Sequence, residues 1–458
     1  MKGFVPTPDA LVDLMVARLF AGGPPSSRSA LLDPGCGEGA FIAGVLRWCA
    51  ASGRTPPRIV GVEGDAMRAQ AAAIRFRGAQ NVEIRVADFL RPSGERFDYV
   101  IGNPPYVPLT ALTVEERAAY RGEYTVARGR FDLYLLFFEQ AVRMLAPGGR
   151  LVFVTPEKYL YVDTARPLRE LMLGLSIEEL RFVSERAFGA LVTYPLVTTL
   201  EAREAHAETR VIHRDGSERA FRLHSATSWL PVLLGHRRDR ATTVLGDVCI
   251  RASCGVATGA DDVFVLPESD LSPGLAPFAH RTVAGRDIAE GELVEPRHVM
   301  LVPYDGKGEL LPESALSALG DYLRAAPRRQ KLLRRTCVAR KPWYAFHETP
   351  PMPLLLQPKL LCKDITAAPF FVTDRSGRLI PRHSTYYIVP KDPEALDDLS
   401  AYLNSAQARD WLRAHCQRAA NGFLRLQSHV LRRLPVPASL VPRSEATVLR
   451  LAQDALSA

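Results

Sequence analysis

Ala30-Leu31-Leu32-Asp33-Pro34-Gly35-Cys36-Gly37-Glu38-Gly39 is the stretch on which the fold turns. It begins as a short apolar run, reaches an acidic residue, and enters a turn with three glycines. Residues 39–51 then repeat apolar positions with helical spacing. A buried strand that passes through a glycine-rich turn into a helix is the opening unit of a doubly wound α/β sheet. Gly35 and Gly37 would let backbone N–H groups approach a ligand with no Cβ in the way. The same glycines would also serve a tight turn that binds nothing.

Outward from this turn, apolar runs at residues 58–62, 82–86, 99–102 and 150–155 read as further buried strands, with helical segments between them, residues 133–145 included. Pro147 to Gly149 reads as a helix stop. Two of the strands also run into acids, Glu63 and Asp88. Ligands of open α/β sheets bind outside the carboxyl ends of the strands. Three acids at three successive strand ends suit a small polar ligand with an amine, a ribose diol and an adenine amino group. S-adenosylmethionine fits that description better than a dinucleotide, whose pyrophosphate would call for G-x-G-x-x-G. Phe89, beside Asp88, is a candidate to stack on an adenine ring, and equally a core residue.

Asn103-Pro104-Pro105-Tyr106 leaves the strand at 99–102. Neither proline can donate a backbone hydrogen bond. The Asn103 side-chain oxygen and the Pro104 carbonyl remain as acceptors, which suits a substrate presenting an NH₂ group. Accepting both amino hydrogens would draw the nitrogen lone pair out of conjugation. Tyr106 could stack on the ring that carries the amine. The other reading is that Pro-Pro merely ends a strand.

The 458 residues are 47% hydrophobic and 24% charged, the balance of a soluble globular chain of two or three domains. No apolar run reaches the roughly 18–20 residues of a membrane helix. Asp9 and Asp13 interrupt any signal-peptide core, so a cytoplasmic location is expected. Seven scattered cysteines without C-x-x-C spacing speak against a disulfide framework or a zinc cage, and no metal is expected. The net charge of +8 is a weak pointer to a polyanionic partner. After about residue 205 the alternation loosens, and residues 206–240 look polar and irregular. Residues 1–236 are therefore expected to form one domain and residues 237–458 a separate α+β domain, with helices at 314–333 and 396–415.

In the order of these pieces the chain resembles the gamma class of adenine-N6 DNA methyltransferases, the TaqI-like enzymes of restriction–modification systems. The resemblance rests on Gly3-Phe4-Val5-Pro6-Thr7-Pro8, the Asp33 to Gly39 loop, Glu63, Asp88-Phe89 and Asn103 to Tyr106. It continues through Phe131-Asp132-Leu133-Tyr134, Ala187-Phe188-Gly189 and Val197-Thr198-Thr199. It implies a Rossmann-like S-adenosylmethionine-dependent methyltransferase domain followed by an α+β target-recognition domain. Thr7 would contact the methionine end of the cofactor. Asp33, with Gly35 and Gly37, would bind near its amino group, Glu63 its ribose hydroxyls, and Asp88 its adenine amine, with Phe89 against the ring. Asn103 and Pro104 would hold the target N6, and Tyr106 and Phe188 would sandwich the flipped base. Transfer would be direct and in line, with no cysteine nucleophile. The implied partner is double-stranded DNA, with a separate cognate restriction endonuclease, no membrane and a monomeric state.

In the second half, Val283 to Ile288, Lys341 to Tyr344, Leu403 to Ser405 and Leu431 to Pro437 are similar to the family's target-recognition domain. Eight Lys and Arg lie between Arg324 and Lys341 with no acid among them, as a solvated helix face or a row of phosphate contacts. Arg286, Arg425 and Gln427 are candidates to read base edges. A protein-glutamine methyltransferase or a structured-RNA adenine methyltransferase would use the same Asn-Pro-Pro-Tyr chemistry. A non-catalytic DNA-binding specificity protein is the rival outside the enzymes.

Overall fold

In a computed structural model of the chain, the apolar runs lie side by side in one sheet. The structure describes residues 5–91, 94–189, 194–205, 208–224, 227–235, 243–289, 291–419 and 422–441. Two compact units divide it, Met1–Gly235 and His236–Ala458. Gly3, Phe4 and the expected boundary at 236/237 lie outside the described residues.

In the first unit, β1 (Ala30–Pro34), β2 (Arg58–Glu63), β3 (Val82–Val86), β4 (Phe97–Gly102) and β5 (Leu145–Pro156) are parallel, in the spatial order β3-β2-β1-β4-β5. Side chains alternate between the faces with period two. Leu31, Ile59, Ile101 and Val152 pack on one face with α1 (Asp9–Leu19) and α2 (Ala40–Ala51). Leu32, Val60, Val100 and Leu151 pack on the other, in the cluster that holds α5 (Leu133–Arg143). Burial on both faces is why β1, β2, β4 and β5 read as apolar runs, whereas β3, at the edge of the sheet, has no buried residue. From β1 the chain steps outward to β2 and β3, then returns across the sheet to β4. Strand order therefore reverses between β1 and β4, which opens a crevice at their carboxyl ends.

Beyond β5 the sheet continues with β7 (Pro195–Glu201), antiparallel to both its neighbours, then β6 (Ser176–Phe182), β8 (Thr209–Ile212) and β9 (Glu218–Phe221). The last two strands, and a short helix at Leu230–Leu233, correct the expectation of irregular structure over residues 206–240. β9 is the edge strand and β8 its inner neighbour, and both carry charge, with Arg210 Nε 2.5 Å from Glu218 Oε1, which hides their period. The stop at Pro147 to Gly149 also differs. The helix ends at Arg143, and these residues form the amino end of β5, where Gly148 N donates to Ala202 O and Ala202 N to Gly149 O, both at 2.8 Å.

The second unit is α+β. One four-stranded antiparallel sheet orders Cys249–Cys254, Thr385–Pro390, Lys359–Lys363 and Val372–Asp374. Another orders Val265–Pro267, His298–Leu301, Ala279–Val283 and Ile380–Pro381. Each long helix expected there is a pair. Ser317–Arg324 breaks to Ala326–Leu333 just before Pro327, and Leu396–Leu403 breaks to Ala406–His415, which Ser405 caps by accepting from Ala408 N at 3.2 Å. Among the described residues no helix is long and apolar enough to cross a membrane.

Candidate active site

The loop after β1 folds back on β2. Gly35 N and Cys36 N both donate to Val62 O, at 2.7 and 3.0 Å, and Gly35 and Gly37 take positive φ of 73° and 55°. Glu63 braces this loop from the end of β2. Its Oε2 accepts from Gly37 N at 2.9 Å and its Oε1 from Asp65 N at 2.8 Å, with the side chain buried. Asp33 is buried completely, yet neither of its carboxylate oxygens has a hydrogen-bond partner. Burial, and then the neighbouring Glu63, push its carboxyl well above the usual carboxylate range.

The end of β4 passes directly beside that carboxyl. A Cβ added to Gly102 would lie 3.4 Å from Asp33 Oδ1. The next residue, Asn103, turns its amide so that Nδ2 donates to Val5 O at 3.2 Å and to Thr7 Oγ1 at 3.1 Å. The Val5 carbonyl, which can only accept, fixes which end of the amide is which. Its Oδ1 is buried and without a partner. Pro104 and Pro105, both buried, add no donor. The result is an acceptor held still, with no donor satisfying it, at the point where strand order reverses.

Two cavities meet at Gly35. One, of about 210 Å³, is lined by Thr7, Gly35, Glu63, Asn103 and Pro105 among others. The other, of about 400 Å³, is lined by Gly35, Asp88, Phe89, Tyr120 and Phe137 among others. Asp88 is exposed, and its Oδ1 accepts from Leu90 N at 3.0 Å. Phe89 is at once core and wall: it is 6% exposed, with its ring 5.0 Å from that of Phe137. Among the described residues, Tyr106 and Phe188 line neither cavity. Tyr106 donates its hydroxyl to Val154 O at 3.3 Å and meets Tyr134 edge-on, while the buried Phe188 packs in the apolar cluster of α1 and α2.

The structure thus gathers Thr7, Asp33, Gly35, Gly37, Glu63 and Asn103 at one strand edge, with Asp88 and Phe89 across Gly35. Sequence reasoning missed the bracing by Glu63, the Val5 carbonyl, and the walls supplied by Tyr120 and Phe137. Phe137 follows Phe131-Asp132-Leu133-Tyr134 by one helical turn, which was the available signal for it.

Comparison with known proteins extends the picture. Residues 68–188 match the Eco57I restriction-modification methylase family. The chain is 28% identical over 481 residues to the type II methyltransferase M.PaeR7I of Pseudomonas aeruginosa, spanning 90% of this chain and 82% of that one. It is 27% identical over 394 residues to the type II methyltransferase M.XhoI of Xanthomonas vasicola, spanning 77% and 70%. The chain is thus similar along most of its length to type II restriction–modification methyltransferases. In fold it is similar to the type IIL restriction-modification enzyme MmeI, solved in complex with DNA, with a TM-score of 0.61 at 15% identity over 95% of this chain and 63% of that one. The Rossmann-like methyltransferase fold expected for the first unit, with an α+β unit after it, is the fold observed.

Proposed function

We propose that this chain, similar to the type II methyltransferases, is an S-adenosylmethionine-dependent DNA methyltransferase, acting on N6 of a flipped-out adenine in double-stranded DNA as the modification component of a restriction–modification system. The observation that carries the reading is the unpartnered Oδ1 of Asn103, whose amide is held by Val5 and Thr7. A buried acceptor with no donor is a group in want of an N–H. An exocyclic amine supplies it, and the two prolines beside it offer no competing one.

The cofactor fits what surrounds it. Asp33 is a desolvated carboxyl with no hydrogen bond, and an ammonium group of the ligand would satisfy it. Asp88 and Phe89 line the second cavity with an acceptor and a ring, as an adenine requires. Glu63, whose two oxygens already accept from the backbone, would reach ribose hydroxyls through remaining lone pairs while holding the loop in shape. When bound, S-adenosylmethionine supplies a methyl group activated on sulfonium. The chain's own part is positioning. Asn103 Oδ1 accepts from the amine and favours the positive charge that grows on nitrogen during transfer. Reaching a base inside a duplex requires extruding it, at about a few kcal/mol of lost stacking. Tyr106 and Phe188 are proposed to stack on the extruded base. Both are packed against apolar neighbours here, so that role asks them to turn.

Tritiated methyl transfer onto genomic DNA, followed by single-molecule mapping of modified adenines, tests this directly. Label appearing in structured RNA or on protein glutamine, and absent from DNA, would refute it. Asn103→Ala is expected to lower transfer by about a hundredfold or more while cofactor affinity stays within a few-fold. Wild-type turnover in that variant would remove Asn103 from the mechanism.

A further inference from the structure

In the second unit, an open cavity of about 460 Å³ is lined by Gly285, Arg286, Lys363, Asp364, Arg382 and Ser384 among others. Its floor holds a buried cation. The Arg382 side chain is 9% exposed, and its Nε and Nη2 have no hydrogen-bond partner. The nearest carboxylate oxygen is Asp287 Oδ2, 3.7 Å from Nη2, and that oxygen already accepts from Ala284 N at 2.7 Å. The backbone leaves Arg382 little freedom: its N donates to Val283 O and its O accepts from Thr385 N, both at 2.8 Å. Gly285 packs so closely over Ser384 that an added Cβ would lie 2.9 Å from Ser384 O, and its N donates to Ser384 Oγ at 3.1 Å. Arg286, 65% exposed, and Lys363 stand at the rim. Asp364 turns its Oδ1 onto Ile365 N at 2.8 Å.

A buried guanidinium with idle donors has given up its hydrogen bonds to water without replacing them. Arg335, by contrast, donates to Thr258 O and Trp343 O. Burial, and then Arg286, act to lower the proton affinity of Arg382, and an anion in the cavity would oppose both. The shape narrows the choice of anion. Base edges lie about 8.5 Å down the major groove, so a side chain must protrude to read them. Arg382 is recessed. The DNA group that itself protrudes is the phosphate, and its oxygens match the planar fork of arginine.

We propose that this cavity seats one backbone phosphate of the DNA duplex, with Arg382 at its floor and Arg286 and Lys363 at its rim. It fixes the register of the duplex and carries no sequence information. Arg286, expected from sequence to read a base, is thereby assigned to a phosphate. The proposal rests on the DNA reading above.

The test measures binding of the full chain to two duplexes, one bearing the mapped methylation site and one unrelated, between about 50 and 200 mM salt. Arg382→Met and Arg286→Gln are each expected to weaken both duplexes about tenfold. Each should also flatten the plot of log affinity against log salt by about 0.9, with the methylated sequence unchanged. An unchanged slope in folded variants overturns the proposal. So does a loss confined to the cognate duplex with relaxed site choice, which would mean a base contact. Should Arg382→Met fail to fold, the exposed Arg286→Gln decides alone. A wild-type chain that binds neither duplex overturns the DNA reading itself, and the cavity assignment with it.

Discussion

Folding strips the carboxyl of Asp33 of water and gives it no hydrogen bond in return. Its raised proton affinity in the folded chain makes a contribution to stability that is fully present below the ordinary carboxylate range and is lost as pH rises through the raised value. Asp33→Asn removes that loss. The ligand-free variant should therefore be more stable than the parent at pH 7.5, on the order of 1–3 kcal/mol, with the difference shrinking toward pH 4. Urea unfolding at the two pH values measures it, and calorimetry on the same protein should show cofactor affinity falling. A variant no more stable at neutral pH would mean that Asp33 is satisfied in solution. Sequence reading located Asp33 and Asn103 because acids and prolines at strand ends are visible in one dimension. It did not see that Glu63 would spend both oxygens on backbone N–H groups, since that depends on how two loops close over neighbouring strands.

The turn between β1 and α2 is set by packing from a distant helix. Gly39 has φ of 79°, and a Cβ there would collide with the ring of Phe76, which ends α3 (Ala66–Arg75). Gly39→Ala adds the left-handed penalty of about 1–2 kcal/mol to that collision. It should lower unfolding free energy by about 2 kcal/mol or more in denaturant titration; an unchanged midpoint would mean that α3 yields freely. Elements were legible where one physical signal dominated. Four of the five parallel strands, β1, β2, β4 and β5, were found because burial on both faces leaves little room for polar residues; β3, at the edge and without a buried residue, was found by the alternation of its apolar and charged positions. Strands β8 and β9 were not, because each is only four residues long near the margin of the sheet and the Arg210–Glu218 pair they share interrupts the apolar pattern. The broken helices were half legible: Pro327 and Asn404-Ser405 stood in the sequence as breaks, but apolar spacing ran on across them. The basic run from Arg324 to Lys341 likewise divides on folding. Arg324 pairs with Glu313, Lys331 with Asp262, and Arg335 binds carbonyls, which leaves fewer cations for a phosphate row than the sequence suggests.

Across the molecule, the apolar clusters respect the division into two units. Those built on Leu32 and Leu31 lie wholly in the first, and those built on Phe264 and Leu360 wholly in the second. A unit with its own core can fold alone. Residues 1–235, expressed separately, should unfold cooperatively and bind S-adenosylmethionine within a few-fold of the full chain by calorimetry, yet fail to methylate DNA at a defined site. A fragment that folds but binds no cofactor would show that the pocket needs the second unit. Strand order, the one global feature that locates the crevice, was not readable in advance. Alternating strands and helices are compatible with several orders, and only hydrogen bonding between strands far apart in the chain selects one.

The grip of Val5 and Thr7 on the amide of Asn103 has a practical side for anyone engineering this chain. A handful of residues ahead of the first helix look like the natural place to trim or to attach a tag. On the function proposed above, loosening them would free the amide to spin half a turn and offer hydrogens where an oxygen is wanted. Such a product would pass every check of folding and still be silent in an assay.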